Sequence, residues 1–385
     1  MTNNLYQMAY KLSAVMRKSA AIVDENNKFP EESLDLLKAN NFMSLIIPRE
    51  FGGGGYNVKI ASDIAQILAS GCLSTAMIWG MHCQQIYTIM NNVESEKKRI
   101  LNEISQNQLY IASVTSEHTK GGYLLSSNSP LHWYNNSEFE LYRLAPTVTG
   151  GEYADAYLIT AKKSQESTDK NVLLLYAVRD EISITDIGDW HSMGMRGTQS
   201  VSMLIKGKLG AKNILTEEDF SGIAQTSLIP IGHIMWASCW LGATKEVFKK
   251  AIKILKKNKN KFNTLTYSRI SSIRLKIDIV NNYLERLIDE FTMCMERNDR
   301  TSLESTSFNI QINNLKIIAS ENLFAAANET IELLGMYHGY IKNELIPLER
   351  LFRDLRSASL MYHNDRLKEA NGKLSLYNSE LLPFL

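Results

Sequence analysis

The sequence predicts an α+β fold with a helical N-terminal domain, a small middle β-domain and a C-terminal antiparallel four-helix bundle. Two changes of pattern along the 385 residues support this prediction. Helical periodicity gives way at about residue 110 to short β-rich runs between Gly, Asn, Ser and Asp clusters, and it returns at about residue 219. The predicted domains are therefore residues 1–109, 110–218 and 219–385, in a chain long enough to bury proper cores.

The N-terminal part contains helix signals on both sides of a run of glycines. Pro30 precedes two glutamates, as in the first turn of a helix, and a further helix is predicted from about Lys59 to Ser70. Between them, Gly52–Gly55 are consecutive glycines. The run lacks the Gly-Lys-Ser/Thr ending of a phosphate-binding loop and the spaced glycines of a dinucleotide-binding turn. It is therefore predicted to be a structural turn.

The later segments have the patterns of strands and then of amphipathic helices. Strands are predicted within residues 156–161, 171–178 and 201–205, and they are interpreted as hairpins. Apolar residues then recur at spacings of mostly four and three in two stripes: Ile273, Ile277, Val280, Leu284, Leu287 and Phe291, followed by Phe308, Ile312, Leu315, Ala319, Leu323 and Ala326. Such stripes are typical of a helical bundle, in which Trp236 and Trp240 are predicted to be core residues.

Composition and charge exclude several classes of function. The chain carries 42 Lys and Arg against 41 Asp and Glu, and the net charge of +1 gives no electrostatic basis for binding nucleic acid or an anionic membrane. The four cysteines are far apart, so neither a disulfide framework nor a metal site is predicted. No apolar run approaches the length of a membrane span and no basic leader opens the chain, so we expect a cytoplasmic protein.

Several local strings extend this picture over nearly the whole chain. They occupy residues 47–53, 113–122, 146–151, 189–200, 332–340 and 347–354. In this order they resemble the acyl-CoA dehydrogenase family of flavoproteins, including its branch of flavin-dependent monooxygenases. The resemblance implies the acyl-CoA dehydrogenase fold and a flavin cofactor, expected to be FAD.

The resemblance also implies which residues contact the flavin. The implied contacts are Val114, Thr115, Ser116, Gly122, Thr147, Val148, Thr149, Arg196 and Gly335. Among them, the hydroxyl groups of Thr115, Ser116 and Thr149 are expected to donate hydrogen bonds to the edge of the isoalloxazine, where charge arrives on reduction.

Two departures from the family pattern keep the identity of the flavin open. The family's Arg-x-x-Phe-Gly string, which holds the FAD pyrophosphate, is replaced here by residues 258–262 with lysines. Lysine supplies a positive charge but not the bidentate fork of arginine. The glycine loop at residues 335–339 also has an extra residue. FMN or a diffusible reduced flavin is therefore an alternative to FAD.

A third departure concerns the catalytic base. Dehydrogenation of an acyl thioester requires a group that removes a proton from the α-carbon while hydride passes to flavin N5. The two positions at which the family places a glutamate correspond here to His363 and Gly232. Asp365 lies two residues beyond His363, and His82 lies in an apolar string that is typical of a buried helix. His363, Asp365 and His82 are the candidate catalytic residues, with a structural role slightly favoured for His82.

Two enzyme classes follow from the resemblance. The first is an FAD-dependent acyl-CoA or acyl-carrier thioester dehydrogenase with His363 or Asp365 as the base. The alternative is a monooxygenase that receives reduced flavin from a separate reductase and uses O₂, with a histidine assisting. A helical scaffold without catalysis is a third, less favoured interpretation. The implied partners are a small-molecule substrate and an electron-transfer protein or a flavin reductase. Because the family builds its flavin site across subunits, a homotetramer or homodimer is expected. Asp354 is expected to form an intramolecular ion pair.

Overall fold

A computed structural model describes residues 2–118, 124–216, 220–257 and 262–378. It confirms the predicted order of helices, β-domain and helices. The N-terminal part contains five α-helices: α1 (Thr2–Glu25), α2 (Glu31–Ala39), α3 (Val58–Ala69), α4 (Leu73–Asn92) and α5 (Lys97–Asn107). Helix α4 is buried along most of its length, so it forms the centre of this part and contacts both the β-domain and the C-terminal helices.

The glycine run before α3 is a structural turn, as predicted. Gly52 and Gly55 have φ angles of +81° and +68°, which favour glycine. A Cβ on Gly53 would lie 2.1 Å from the carbonyl oxygen of Ile47. The N–H of Gly55 donates to that same carbonyl at 2.8 Å. These backbone groups are used inside the turn, which brings the chain to the N-cap residue Asn57 of α3.

The middle part consists of two four-stranded sheets, with the orders β1-β4-β5-β8 and β2-β3-β7-β6. Their strands are β1 (Ile111–Val114), β2 (His132–Trp133), β3 (Glu138–Thr149), β4 (Ala156–Lys162), β5 (Val172–Val178), β6 (Ser183–Thr185), β7 (Ser200–Gly210) and β8 (Ile214–Thr216). The interpretation of this part as hairpins is wrong for β1, which pairs with β4 in parallel. Strand β1 follows α5 and lies at the edge of the sheet, where its neighbour is β4, a strand distant from it in sequence.

The C-terminal part is a helical bundle that includes a short π-helical segment at residues 224–228. Its helices are α6 (Phe220–Ile223), α7 (Ile229–Lys256), α8 (Thr264–Glu296), α9 (Arg300–Glu304), α10 (Thr306–Gly335), α11 (Leu348–Arg356) and α12 (Asn364–Tyr377). Helix α10 packs against α7, α8, α11 and α12. Both predicted apolar stripes, on α8 and α10, are buried in full, which confirms the interpretation of their spacing.

The buried side chains of the three parts form one continuous apolar core. Trp240 is fully buried in it, as predicted, and the four cysteines are buried free thiols. Within the described ranges, no group of His, Cys, Asp and Glu side chains is arranged to hold a metal ion. No helix in that part of the chain is long and apolar enough to cross a bilayer.

Candidate functional site

A cavity of about 930 Å³ is lined by residues of the β-domain, of α4 and of the C-terminal bundle. Residues on and next to the strands form a wall rich in hydroxyl groups, whereas the loop between β6 and β7, α4 and the C-terminal helices contribute sulfur-containing and aromatic side chains. The principal apolar residues of the lining are Met77, Met81, Trp190, Met193, Met195, Trp236, Leu360 and Met361. Trp236, predicted to be only a core residue, is thus also part of the cavity wall.

Several residues predicted from the sequence meet in this cavity, whereas others lie elsewhere. Those that line it are Thr115, Ser116, Thr147, Thr149 and His363. Val114 and Val148 are fully buried in the core and do not line the cavity. Gly335 is exposed at the end of α10 with a φ of +69°, outside the lining. Gly122 lies outside the described residues.

Arg196 contacts the protein rather than the cavity. Its Nε donates to the carbonyl oxygen of Ser192 at 3.0 Å. Ser192 and Met195 do line the cavity, so the Arg196 side chain stabilises the loop that bounds it. A direct contact between Arg196 and the cofactor stays a prediction.

Ser116 connects the end of β1 to β3. Its Oγ donates to the carbonyl oxygen of Thr147 at 2.8 Å and accepts the N–H of Thr147 at 3.2 Å. The hydroxyl hydrogen of Ser116 is therefore used within the protein. The side chain fixes the distance between two segments of the cavity wall.

Thr149 stands at one end of a chain of hydroxyl groups. Thr198 Oγ1 donates to the carbonyl oxygen of Met195 at 2.8 Å, and it lies 2.9 Å from Ser200 Oγ, which lies 3.0 Å from Thr149 Oγ1. Because Thr198 has one hydroxyl hydrogen, Ser200 must donate to Thr198 and Thr149 must donate to Ser200. In this arrangement the hydroxyl hydrogens of Ser116 and Thr149 are used within the protein, and both groups offer oxygen lone pairs to the cavity. Donation from these hydroxyl groups to a flavin stays a prediction.

A buried ion pair that is not predicted from the sequence lies behind the hydroxyl-rich wall. Arg143 on β3 is 0% exposed, and its guanidinium donates to the carbonyl oxygens of Ser116 and Thr160 at 2.9 and 3.1 Å. Its Nη1 lies 3.4 Å from Oε1 of Glu117, which also accepts from Ser127 Oγ at 2.6 Å. The signal was present in the sequence, because Arg143 falls at an inward position of a strand that otherwise alternates.

The turn between α11 and α12 places His363 at the cavity wall. His363 is the N-cap residue of α12, and its Nδ1 accepts the N–H of Asp365 at 3.3 Å. The carboxylate of Asp365 lies 3.6 Å from the same nitrogen, but its side chain is 81% exposed and does not line the cavity. The structure thus brings the imidazole to the cavity and leaves Asp365 outside.

His82 is fully buried in α4, away from the cavity lining. Its Nδ1 accepts the N–H of Ile111 at 3.1 Å, so Nε2 carries the hydrogen and donates to the carbonyl oxygen of Met43 at 2.7 Å. Burial lowers the pKa of His82 to about 4. Both ring nitrogens are occupied in joining α4 to β1 and to the segment after α2, which supports a structural role.

Asp354 and Arg353 on α11 have different partners from those expected. Asp354 accepts the N–H of Met195 at 2.5 Å, so the predicted ion pair of this carboxylate is wrong. Its neighbour Arg353 forms the ion pair instead, with its Nη2 2.5 Å from Asp24 Oδ2 and its Nε 2.9 Å from Glu349 Oε2. The backbone of α11 puts Asp354 against the cavity loop and leaves Arg353 to reach α1.

The ionisable side chains in the described lining are mostly basic. They are Glu117, His118, Arg353, Arg356, His363 and Arg366. The one carboxylate in this set belongs to Glu117, and it is neutralised by Arg143. The lining therefore contains two imidazoles and three guanidinium groups, but no available carboxylate from the described residues.

Comparison with known proteins agrees with this architecture. A model of the acyl-CoA dehydrogenase N-terminal domain matches residues 8–108. The structure superposes on FMN-bound TdsC of Paenibacillus sp. A11-2, a dibenzothiophene monooxygenase, with a TM-score of 0.85, 17% identity and 98% coverage of each chain. It also superposes on butyryl-CoA dehydrogenase of Megasphaera elsdenii, with a TM-score of 0.83, 16% identity and coverage of 97% and 98%. The chain therefore has the acyl-CoA dehydrogenase fold, and its N-terminal region matches the N-terminal domain model of that family.

Relatives within this fold family include more than one kind of enzyme. Isobutyryl-CoA dehydrogenase of Dictyostelium discoideum is 21% identical over 355 residues, which cover 91% of this chain and 82% of the relative. Dibenzothiophene monooxygenase of Rhodococcus erythropolis is 21% identical over 229 residues, which cover 54% of this chain and 51% of the relative. The relatives thus comprise flavin-dependent oxidoreductases and monooxygenases, and the family alone does not distinguish between these activities.

Proposed function

We propose that this protein is a flavin-dependent monooxygenase that uses reduced flavin and O₂ to oxidise a small apolar substrate. One observation supports this proposal over dehydrogenation. His363 lines the cavity at the sequence position where the family resemblance leads us to expect a glutamate base, and the carboxylate in the described lining, Glu117, is paired with Arg143. A carboxylate in such an ion pair is a weak base toward substrate.

The residues of the cavity fit a flavin. Its volume of about 930 Å³ is large enough for an isoalloxazine ring together with a small substrate. The wall of Thr115, Ser116, Thr147 and Thr149 would face the polar edge of the ring, and Thr149 offers an acceptor for a ring N–H. Reduced flavin, when bound, would deliver two electrons to O₂, so that one oxygen atom enters the substrate and the other becomes water.

The protein side chains would orient the substrate and limit access of water. Methionine and tryptophan side chains dominate the rest of the lining, and these adapt well to flat apolar molecules. His363 would hold or donate a proton beside the reacting oxygen, a role that its place at the cavity wall permits. Indole and dibenzothiophene are therefore suitable first probes.

A second candidate function is dehydrogenation of an acyl thioester. It is supported by the larger share of this chain that aligns with a dehydrogenase relative than with a monooxygenase relative. The isobutyryl-CoA dehydrogenase matches 91% of the chain, whereas the dibenzothiophene monooxygenase matches 54%. In this activity His363 would have to remove the α-proton, and FAD would be the expected flavin. The sequence alone favours this candidate, and the basic lining of the cavity reverses that preference.

Assembly and partners belong to the same proposal. Large apolar side chains are exposed near the end of α10 and in the segment after it, namely Met336, Tyr337, Tyr340, Ile341 and Leu345. Apolar surface of this kind supports a homodimer or homotetramer, in which Gly335 would lie near a neighbouring subunit. A flavin reductase would be the partner of the monooxygenase, and the cytoplasm is the compartment in which we expect both.

Two assays separate the candidate activities. In the first, purified protein with FAD or FMN is mixed anaerobically with a panel of acyl-CoA esters, and loss of flavin absorbance is followed. In the second, reduced FMN and ¹⁸O₂ are supplied with indole or dibenzothiophene, and label in the product is measured by mass spectrometry. We expect labelled product and no bleaching. Rapid bleaching by an acyl-CoA, without labelled product, would overturn the proposal in favour of dehydrogenation.

A further inference from the structure

The turn that carries His363 has an unfavourable backbone conformation. Tyr362, the preceding residue, has a φ of +47°, in the left-handed region that favours glycine. A non-glycine residue in this region costs free energy, and it persists where surrounding contacts determine the conformation. The neighbours of Tyr362 and His363 must therefore supply contacts that hold the turn.

Lys316 on α10 supplies two of these contacts. Its side chain is 0% exposed. Its Nζ donates to the backbone carbonyl oxygen of Tyr362 at 3.2 Å and to Oδ1 of Asn364 at 2.7 Å. These two acceptors belong to the residues immediately before and after His363, so one amino group spans the turn.

The other contacts of the turn reinforce this arrangement. Asn364 Nδ2 donates to Ser320 Oγ at 3.0 Å and to Glu321 Oε1 at 3.1 Å, which fixes the amide that accepts from Lys316. The Tyr362 ring lies edge-on to the ring of His233 on α7, with centroids 5.8 Å apart. The turn is thus held from α7 and α10 while its imidazole lines the cavity.

We infer that Lys316 is a positioning residue for His363, acting through the carbonyl of Tyr362 and the side chain of Asn364. This inference rests on the proposed role of His363 in the cavity. Lys316 itself does not line the cavity, so its effect must pass through the turn. No contribution to packing alone accounts for a lysine at this site, because a methionine of similar length would fill the same space without burying an amine.

The charge balance around Lys316 agrees with this function. Burial lowers the pKa of Lys316 to about 7, and Glu321, the acid that opposes this shift, is itself paired with Lys368 on α12 at 2.6 Å. His233 faces Lys316 from α7 as a neutral ring, since burial lowers its pKa to about 3. Lys316 therefore lies in a site that disfavours its charge. Its described hydrogen bonds go to the two residues that flank His363.

The test is a cycle of Lys316→Met, His363→Ala and the double variant, each loaded with reduced flavin and probe substrate. Because the inference places both residues in one pathway, we expect Lys316→Met to lower product formed per reduced flavin by about 10- to 100-fold, with flavin Kd changed less than twofold. In the His363→Ala background the same substitution should cause less than a further twofold loss. Lys276→Met, which removes a half-buried amine paired with Glu329 on the same bundle, is the matched control.

Three outcomes decide the inference. Normal product yield in Lys316→Met overturns it, and so does an additive loss in the double variant, because Lys316 would then act independently of His363. If Lys316→Met does not fold, Asn364→Ala removes one of the two acceptors and should give a smaller loss in the same direction. An unchanged yield in a folded Asn364→Ala variant would then also overturn it.

A readout that does not depend on oxygenation separates this inference from the proposed function. The rate at which diethyl pyrocarbonate modifies His363, mapped by mass spectrometry, reports the position of the imidazole directly. We expect Lys316→Met to change this rate severalfold and Lys276→Met to leave it unchanged. If the wild-type protein gives no oxygenated product but Lys316→Met changes the modification rate of His363, the proposed function fails and the positioning role stands. If Lys316→Met leaves this rate unchanged, the positioning role is overturned.

Discussion

Oδ1 of Asp354 accepts the backbone N–H of Met195 at 2.5 Å, and this contact joins the C-terminal bundle to the loop that bounds the cavity. The two segments are in close contact, because a Cβ on Gly194 would lie 2.1 Å from the carbonyl oxygen of Arg353. Met195 has a φ of +54°, so the loop conformation also depends on a partner for its backbone. The bundle thus helps to shape the cavity as well as close it.

Replacement of Asp354 tests this link. Burial raises the pKa of Asp354 to about 6, so near neutral pH the native state carries a buried charge whose main benefit is the Met195 contact. Asp354→Ala leaves the Met195 N–H unpaired and should lower the free energy of unfolding by about 1–3 kcal/mol, together with flavin affinity. Asp354→Asn keeps an oxygen acceptor and should retain both. Urea unfolding and flavin titration measure the two effects, and equal losses in both variants would contradict the explanation.

The buried histidines predict loss of stability in acid. An unfolded histidine takes up a proton near pH 6.5, whereas burial lowers the folded-state pKa of His82 to about 4. Between these values the unfolded state binds more protons, so stability falls as the pH falls, by up to about 1.4 kcal/mol per pH unit for this one group. His82→Gln should flatten the decline of the urea midpoint between pH 7 and 5. His132→Gln, at an exposed position of β2, is the control, and a His82→Gln profile parallel to wild type would refute the prediction.

The hydroxyl-rich wall predicts a loss of flavin affinity when its acceptors are removed. Ser116→Val combined with Thr149→Val deletes the contact between β1 and β3 and the end of the hydroxyl chain. We expect flavin Kd to rise severalfold while the circular dichroism spectrum stays native. Thr185→Val changes an exposed residue of β6 and should leave Kd unchanged. Unaltered affinity in the double variant would remove these two hydroxyl groups from the flavin site.

Regular features of this protein could be predicted from sequence, because they depend on periodicity. The stripes of α8 and α10 were visible as spacings, and the glycine run could be assigned to a turn by what it lacked. The pairing of β1 with β4 was not predictable, since it depends on how α5 returns the chain to the sheet. The domain boundaries at residues 109 and 218 stay predictions.

The candidate site was predictable in part, because some of its residues lie in short sequence strings that resemble those of the family. Thr115 and His363 were found through family strings, and the structure places both at the cavity. Sequence could not show that Asp365 points to solvent or that the ring nitrogens of His82 are both bonded to backbone, because these facts depend on tertiary geometry. The Arg143–Glu117 pair was missed because Arg143 lies on β3 and Glu117 in the segment after β1, so their relation is a tertiary contact rather than a motif.

Assembly gives a further prediction. Exposed apolar residues on α8, which include Leu265, Tyr267, Leu275, Ile279 and Met293, add to those after α10. Burying such surface between subunits is favourable by roughly 25 cal/mol per Å² of apolar area. Light scattering at micromolar concentration should therefore give the mass of a dimer or tetramer. A monomer mass with flavin still bound would contradict it.

His363 lies in the cavity lining and Asp365 lies beside it, so substitutions at the two residues should have different effects on catalysis. His363 lines the cavity, whereas the side chain of Asp365 is 81% exposed, with its carboxylate 3.6 Å from His363 Nδ1 and outside the cavity lining. General acid or base catalysis contributes on the order of 100- to 10,000-fold, so His363→Ala should reduce labelled product per reduced flavin by a factor in that range. The reduced flavin should then reduce O₂ to hydrogen peroxide instead of oxidising the substrate. Asp365→Asn keeps the N–H that bonds to His363 and should change product yield by less than about threefold, as expected for an exposed ion pair. Product and peroxide measured side by side show whether reduced flavin is still used. Equal losses in the two variants would mean that the carboxylate takes part in the chemistry, and a fully active His363→Ala variant would remove the histidine from it.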